Sequence, residues 1–141
     1  MRSILYLQRG RKIKSMLSLS KIFAIGLGGF LGAVGRFWLS SIAQRYSDRF
    51  PLGTLSVNLL GSFILGLLAT LFLEKVIVGQ ELRLFLLVGL LGAFTTYSTF
   101  SLETLNLVRT GEWLFAGSNI LANVLGTLIA VWAGVGIAKL W

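Results

Sequence analysis

A chain of 141 residues that is 55% hydrophobic and 13% charged, with a mean hydropathy of +0.84, carries more apolar surface than a soluble domain of its length can hide, so it has to live in lipid. It has no cysteine and no histidine, which removes disulfide frameworks, thiolate and imidazole metal sites and any nucleophile served by a histidine base; enzyme chemistry is not the leading reading. The formal net charge of +8 does not point to nucleic acid, because six of the thirteen basic residues (Arg2, Arg9, Arg11, Lys12, Lys14, Lys21) precede the first hydrophobic segment and no aromatic interleaving accompanies them.

Residues 1–20 read as a basic tail that holds its end in the cytoplasm or meets anionic lipid. With no apolar core and small-residue cleavage site of its own, the tail is not read as a removable signal peptide, and Met16 offers an alternative start. Residues 21–141 read as an all-α membrane unit with four apolar stretches, 22–43, 52–73, 84–108 and 113–140, each near the ~20 residues a helix needs to cross a bilayer. Segments 44–51, 74–83 and 109–112 connect them and hold most of the remaining charges, with Trp38, Trp113 and Trp141 near span ends as interfacial anchors.

An even number of spans puts both termini on one side. Outside the tail that side carries Lys21, Lys75, Arg83 and Lys139, against Arg45, Arg49 and Arg109 on the other, which is hardly a bias. A core so balanced is able to insert either way, so the expectation is an antiparallel, dual-topology dimer with only the tail favouring termini inside. Small residues at four-residue spacing, Gly28 and Gly32 in the first span and Gly126, Ala130 and Gly134 in the fourth, let backbones approach closely, within one subunit or between two.

Polar groups inside hydrocarbon are costly, and here they fall in register. Thr54, Asn58 and Ser62 share one face of the second span, and Asn119, Asn123 and Thr127 share one face of the fourth. One membrane asparagine is explained by interhelical hydrogen bonding; two parallel stripes are better explained by the route of an ion that has shed water, since amides and hydroxyls donate to anions. The third span carries a hydroxyl-rich, aromatic run from Gly92 to Ser101 within a Leu-rich segment, which predicts a helix broken near mid-membrane with freed carbonyls suited to a small alkali cation. Tyr97 and Phe100, three apart, are placed to share one space, where ring edges favour an anion. Glu103, one turn on, is placed to accept from the hydroxyl run, and Arg36 either draws anions to an entrance or snorkels.

These segments resemble the Fluc fluoride channels, also called CrcB proteins: Gly28 through Arg36 in the first span, Gly53 through Phe63 in the second, and Gly92 through Phe100 with Glu103 in the third. The resemblance implies a passive, fluoride-specific channel of the cell inner membrane, built as an antiparallel homodimer with two pores and a central sodium ion that is not transported. It implies Gly92 and Thr95 as sodium ligands, Asn58 as the pore asparagine, and Tyr97 with Phe100 as the aromatic pair. Ser98, Thr99 and Glu103 fall beside the pore and Arg36 in the vestibule. Two departures stand out: Tyr97 replaces a phenylalanine, and Asn119 and Asn123 stand where relatives are expected to carry Tyr or Ser. A paralogous partner in place of a second identical copy stays open. The alternative is a small multidrug-type, proton-coupled exporter of cationic compounds, which needs an acidic residue in the first span where this chain has none. A non-conducting membrane anchor is the third reading.

Overall fold

The computed structural model describes residues 18–140, so the basic segment 1–17, the alternative start at Met16 and the anchor Trp141 lie outside the described residues. All four spans are helical and long enough to cross a membrane: α1 Leu19–Gln44, α2 Leu52–Lys75, α3 Gln80–Arg109 and α4 Trp113–Lys139. The protein is a multi-pass membrane protein. α1 begins three residues before the apolar stretch, at Leu19, and α3 begins at Gln80, because Gly79 in an extended conformation starts a polar helical turn over Gln80–Arg83.

Each connection has a local cause. Pro51, with φ of −76°, stands immediately before α2, where a missing N–H costs nothing. Gln44 staples the ends it joins: Nε2 donates to the Ser47 and Phe50 carbonyls at 2.6 and 3.1 Å, and Oε1 accepts from the Gly53 N–H at 3.0 Å. α3 ends in a Schellman motif, in which the Gly111 N–H meets the Val108 carbonyl and the Glu112 N–H meets the Leu107 carbonyl. Gly111 takes a φ of +80°, which a side chain would resist, so the turn into α4 is tight.

Burial is inverted relative to a soluble protein. Among the described residues the buried hydrophobics are only Val57, Leu91, Phe100, Ala116 and Ala138, while Thr54, Asn58, Thr70, Thr96, Asn119 and Asn123 are buried polar residues. Large apolar side chains such as Phe30, Trp38, Trp113 and Trp132 face outward, as lipid allows.

α1 packs along the first half of α3, and α2 packs along α4. Both contacts rest on absent side chains. A Cβ on Gly28 would meet the Phe85 carbonyl and one on Gly32 the Leu90 carbonyl; opposite them, Gly89 brings its backbone against Ile25 and Gly28. In the second pair Gly66 lies on the Val131 backbone and Gly134 on the Phe63 carbonyl, while Gly126 sits beneath the Leu59 side chain. The predicted stripes of small residues therefore serve packing within the subunit at Gly28, Gly32, Gly126 and Gly134.

The winding is uneven where function is expected. It widens to π geometry at Leu71–Lys75 and Leu84–Leu91. Within α3, the Thr95 N–H makes the last regular bond of the first half, to the Leu91 carbonyl; Thr95 (φ −86°, ψ 157°) and Thr96 (φ −150°, ψ 118°) are extended, and the helix resumes over Tyr97–Arg109.

Candidate functional site

The two extended residues present backbone groups that a continuous helix would have paired. The Thr96 N–H, which would have reached the Gly92 carbonyl, instead donates to Asn58 Oδ1 at 2.8 Å. Thr99 N–H, which would have reached the Thr95 carbonyl, instead donates to Thr96 Oγ1 at 3.3 Å, so Thr96 caps the second half of α3. Gly92 and Thr95 carbonyls have thereby lost their helical donors. Two neutral oxygens in that condition are the right donor type for a hard monovalent cation.

Asn58 grips Thr96 at both ends of its peptide backbone, because Asn58 Nδ2 also donates to the Thr96 carbonyl at 3.1 Å. Its second amide hydrogen goes to Asn123 Oδ1 at 2.9 Å. Asn123 Nδ2 in turn reaches the Asn119 carbonyl at 3.1 Å and Asn119 Oδ1 at 2.9 Å. Asn119, completely buried, donates to Thr104 Oγ1 at 2.9 Å, and the Thr104 hydroxyl donates to the Phe100 carbonyl at 2.7 Å. The amides of the two stripes are thus paired with one another across α2 and α4, which is how buried amides avoid an unmade bond in an apolar surrounding.

Around this network lies a groove of about 380 Å³ that opens at the protein surface. Asn58 and Ser62 of α2, Thr95, Tyr97 and Phe100 of α3, and Asn123 and Thr127 of α4 line it together with Leu65, Val124 and Leu128. The rings of Tyr97 and Phe100 are 5.2 Å apart at 59°, the former 76% exposed and the latter 5%, so they share one wall as their spacing predicted. Thr127 donates to the Asn123 carbonyl at 2.5 Å, and Thr95 donates to the Leu91 carbonyl at 3.1 Å. Ser62 and Tyr97 are different. Their hydroxyls make no hydrogen bond to another described residue, and both residues line the groove.

The remaining candidates lie elsewhere. Arg36, half-buried, lines a second cavity of about 220 Å³ with Ser40, Thr54, Thr96 and Thr99, so the α2 stripe divides, with Thr54 on this cavity and Asn58 and Ser62 on the groove. Glu103 borders a third cavity of about 240 Å³ with Gln44, Arg49 and Asn106. It accepts from the Thr54 hydroxyl at 2.8 Å rather than from the hydroxyl run of its own span, because that run is turned toward Thr96. Its other carboxylate oxygen, Oε2, is buried with no hydrogen-bond partner among the described residues. Ser98 is exposed and lies 3.3 Å from the Thr96 hydroxyl. Thr96 and Thr104 join the site beyond the candidates that the sequence offers; the signal for Thr96 is a threonine at the N-cap of a helix, and Thr104 carries none.

Fold and site together define a small four-span helical membrane protein whose polar groups converge on a groove between three of its helices. The chain matches the family described as CrcB-like protein, Camphor Resistance (CrcB), over residues 23–135, and it belongs to that family. It is 52% identical over 113 residues to the fluoride-specific ion channel FluC of Opitutus terrae, covering 78% of this chain and 86% of the relative. It is also similar to the proteins of that name from Magnetococcus marinus, 51% identical over 117 residues (82% of this chain and 95% of the relative), and Geobacter sulfurreducens, 43% over 122 residues (86% and 98%).

Proposed function

We propose that the protein is a subunit of a fluoride-specific channel that lets fluoride leave the cell passively across the inner membrane, driven by the membrane voltage alone. The observation that carries this reading is the groove: seven predicted polar, aromatic or broken-backbone residues from three spans meet on it, in a chain half identical to proteins named for fluoride conduction.

In this reading the break at Thr95 and Thr96 stands near mid-membrane. Fluoride passes the Ser62 hydroxyl and the ring edges of Tyr97 and Phe100, along a wall completed by Thr127 and the amides of Asn58 and Asn123, with Asn119 behind them. Ring edges carry partial positive charge, and hydroxyls replace lost water without a fixed cation that would trap the ion. Ser98, Thr99 and Glu103 form the polar region beside the path, and Arg36 raises the local anion concentration at a vestibule.

The partner is a second, antiparallel copy or a close paralogue, which the outward apolar faces and the even split of Lys and Arg support. A sodium ion that is not itself transported is held by the Gly92 and Thr95 carbonyls of both subunits; both carbonyls have given up their helical donors. Bound there, it would supply a fixed positive charge between the pores. The test is fluoride efflux from liposomes containing the purified protein, with chloride as control and sodium present or replaced. Rapid, sodium-dependent fluoride efflux with no chloride efflux is expected; no fluoride efflux in sodium would refute the reading.

A further inference from the structure

The hydrogen bonds around the groove form one directed chain. It starts at the Thr96 N–H, passes through Asn58, Asn123, Asn119 and the Thr104 hydroxyl, and ends at the Phe100 carbonyl. Both ends are backbone groups of α3, and α2 and α4 are visited in between. A peptide N–H only donates and a carbonyl only accepts, so neither end tolerates reversal. An asparagine amide otherwise has two orientations of nearly equal shape. Here the ends dictate all three: each oxygen faces the preceding donor and each NH2 the next acceptor.

We infer that Asn123, oriented by Asn119, is a positioning residue that fixes the Asn58 amide and through it the extended turn at Thr96, so that the fourth-span asparagines frame the groove without being its free donors. Asn123 takes the one Asn58 hydrogen that Thr96 does not. Without that acceptor the Asn58 NH2 has a bond to make and only the groove to make it in, and rotation toward the groove releases the Thr96 backbone. Asn119 does not line the groove and is completely buried behind Asn123, which fits a link in the chain and not a ligand. The assignment of the groove as an ion path, on which the transport readout rests, is separable from the positioning itself.

The experiment is amide hydrogen exchange at Thr96, read by NMR on the full-length protein in lipid nanodiscs, alongside fluoride efflux from liposomes. Asn123→Leu keeps the branched shape of the side chain and removes both ends of the link. It is expected to speed Thr96 exchange by about tenfold or more, the loss of one buried hydrogen bond, and to lower efflux in parallel. Asn119→Leu, which leaves the backbone contact of Asn123 in place, is expected to speed exchange about threefold and serves if Asn123→Leu does not assemble. The double variant Asn119→Leu/Asn123→Leu should be no worse than Asn123→Leu alone, since a chain is broken only once. Faster exchange with unaltered efflux supports the positioning and counts against the groove as the ion's route. Unchanged Thr96 exchange in Asn123→Leu, or additive effects in the double variant, overturns the inference, since a residue that merely fills space is replaced by Leu without disturbing a backbone amide on another helix.

Discussion

The α1 contact with the first half of α3 and the α2 contact with α4 are both made close by glycine, yet only the second surrounds a polar network. On the first contact Gly28, Gly32 and Gly89 bring backbone against backbone. On the second, Gly66 and Gly134 close one end of the helix pair, while toward the other Asn58, Asn119 and Asn123 hold the helices together and leave a groove beside Thr95 and Thr96. The lesson is that lipid, which provides no push between helices, leaves two means of association, close van der Waals packing and buried hydrogen bonds. The groove lies beside the hydrogen-bonded contact.

The largest effect is expected from breaking the first contact. Gly32→Leu drives a side chain into the Leu90 backbone, which has no rotamer to give, and should destabilise the protein by about 3 kcal/mol or more, seen as loss of the monodisperse peak on mild heating. Asn58→Leu comes next. It strips both Thr96 backbone groups of their partner, costing about 2 to 3 kcal/mol in thermal melts and, if the groove conducts, about a hundredfold in fluoride efflux. Thr54→Val removes the donor to Glu103, whose second oxygen has no partner among the described residues, and should cost about 1 to 2 kcal/mol in the same melts. The smallest change in stability belongs to Tyr97→Phe. Its hydroxyl has no partner among the described residues, so stability should move by less than about 0.5 kcal/mol while efflux changes several-fold, which separates a lining group from a supporting one.

Much of this contrast was legible in the residues. Four-residue spacing of glycines announced the close contacts, and the same spacing of Thr54, Asn58 and Ser62 and of Asn119, Asn123 and Thr127 announced two polar faces that had to meet something. What they meet was not legible. Asn58 bonds Thr96, 38 residues away, and Asn123, 65 residues away, and helical periodicity carries no information about which face of one helix finds another. For the same reason the shared stripe of α2 gave no sign that Thr54 would face the Arg36 cavity while Asn58 and Ser62 face the groove. Gln44 could not be read as the staple of the first connection either, since its three bonds depend on how the loop folds back.

The groove as the ion's path is tested most directly by filling it. Ser62 lines it without a hydrogen bond to any other described residue, so Ser62→Trp adds bulk there without breaking the amide chain. Fluoride efflux from liposomes loaded with this variant should fall to the leak of protein-free vesicles while the protein stays monodisperse. Efflux at the unmodified rate would mean that the ion travels elsewhere.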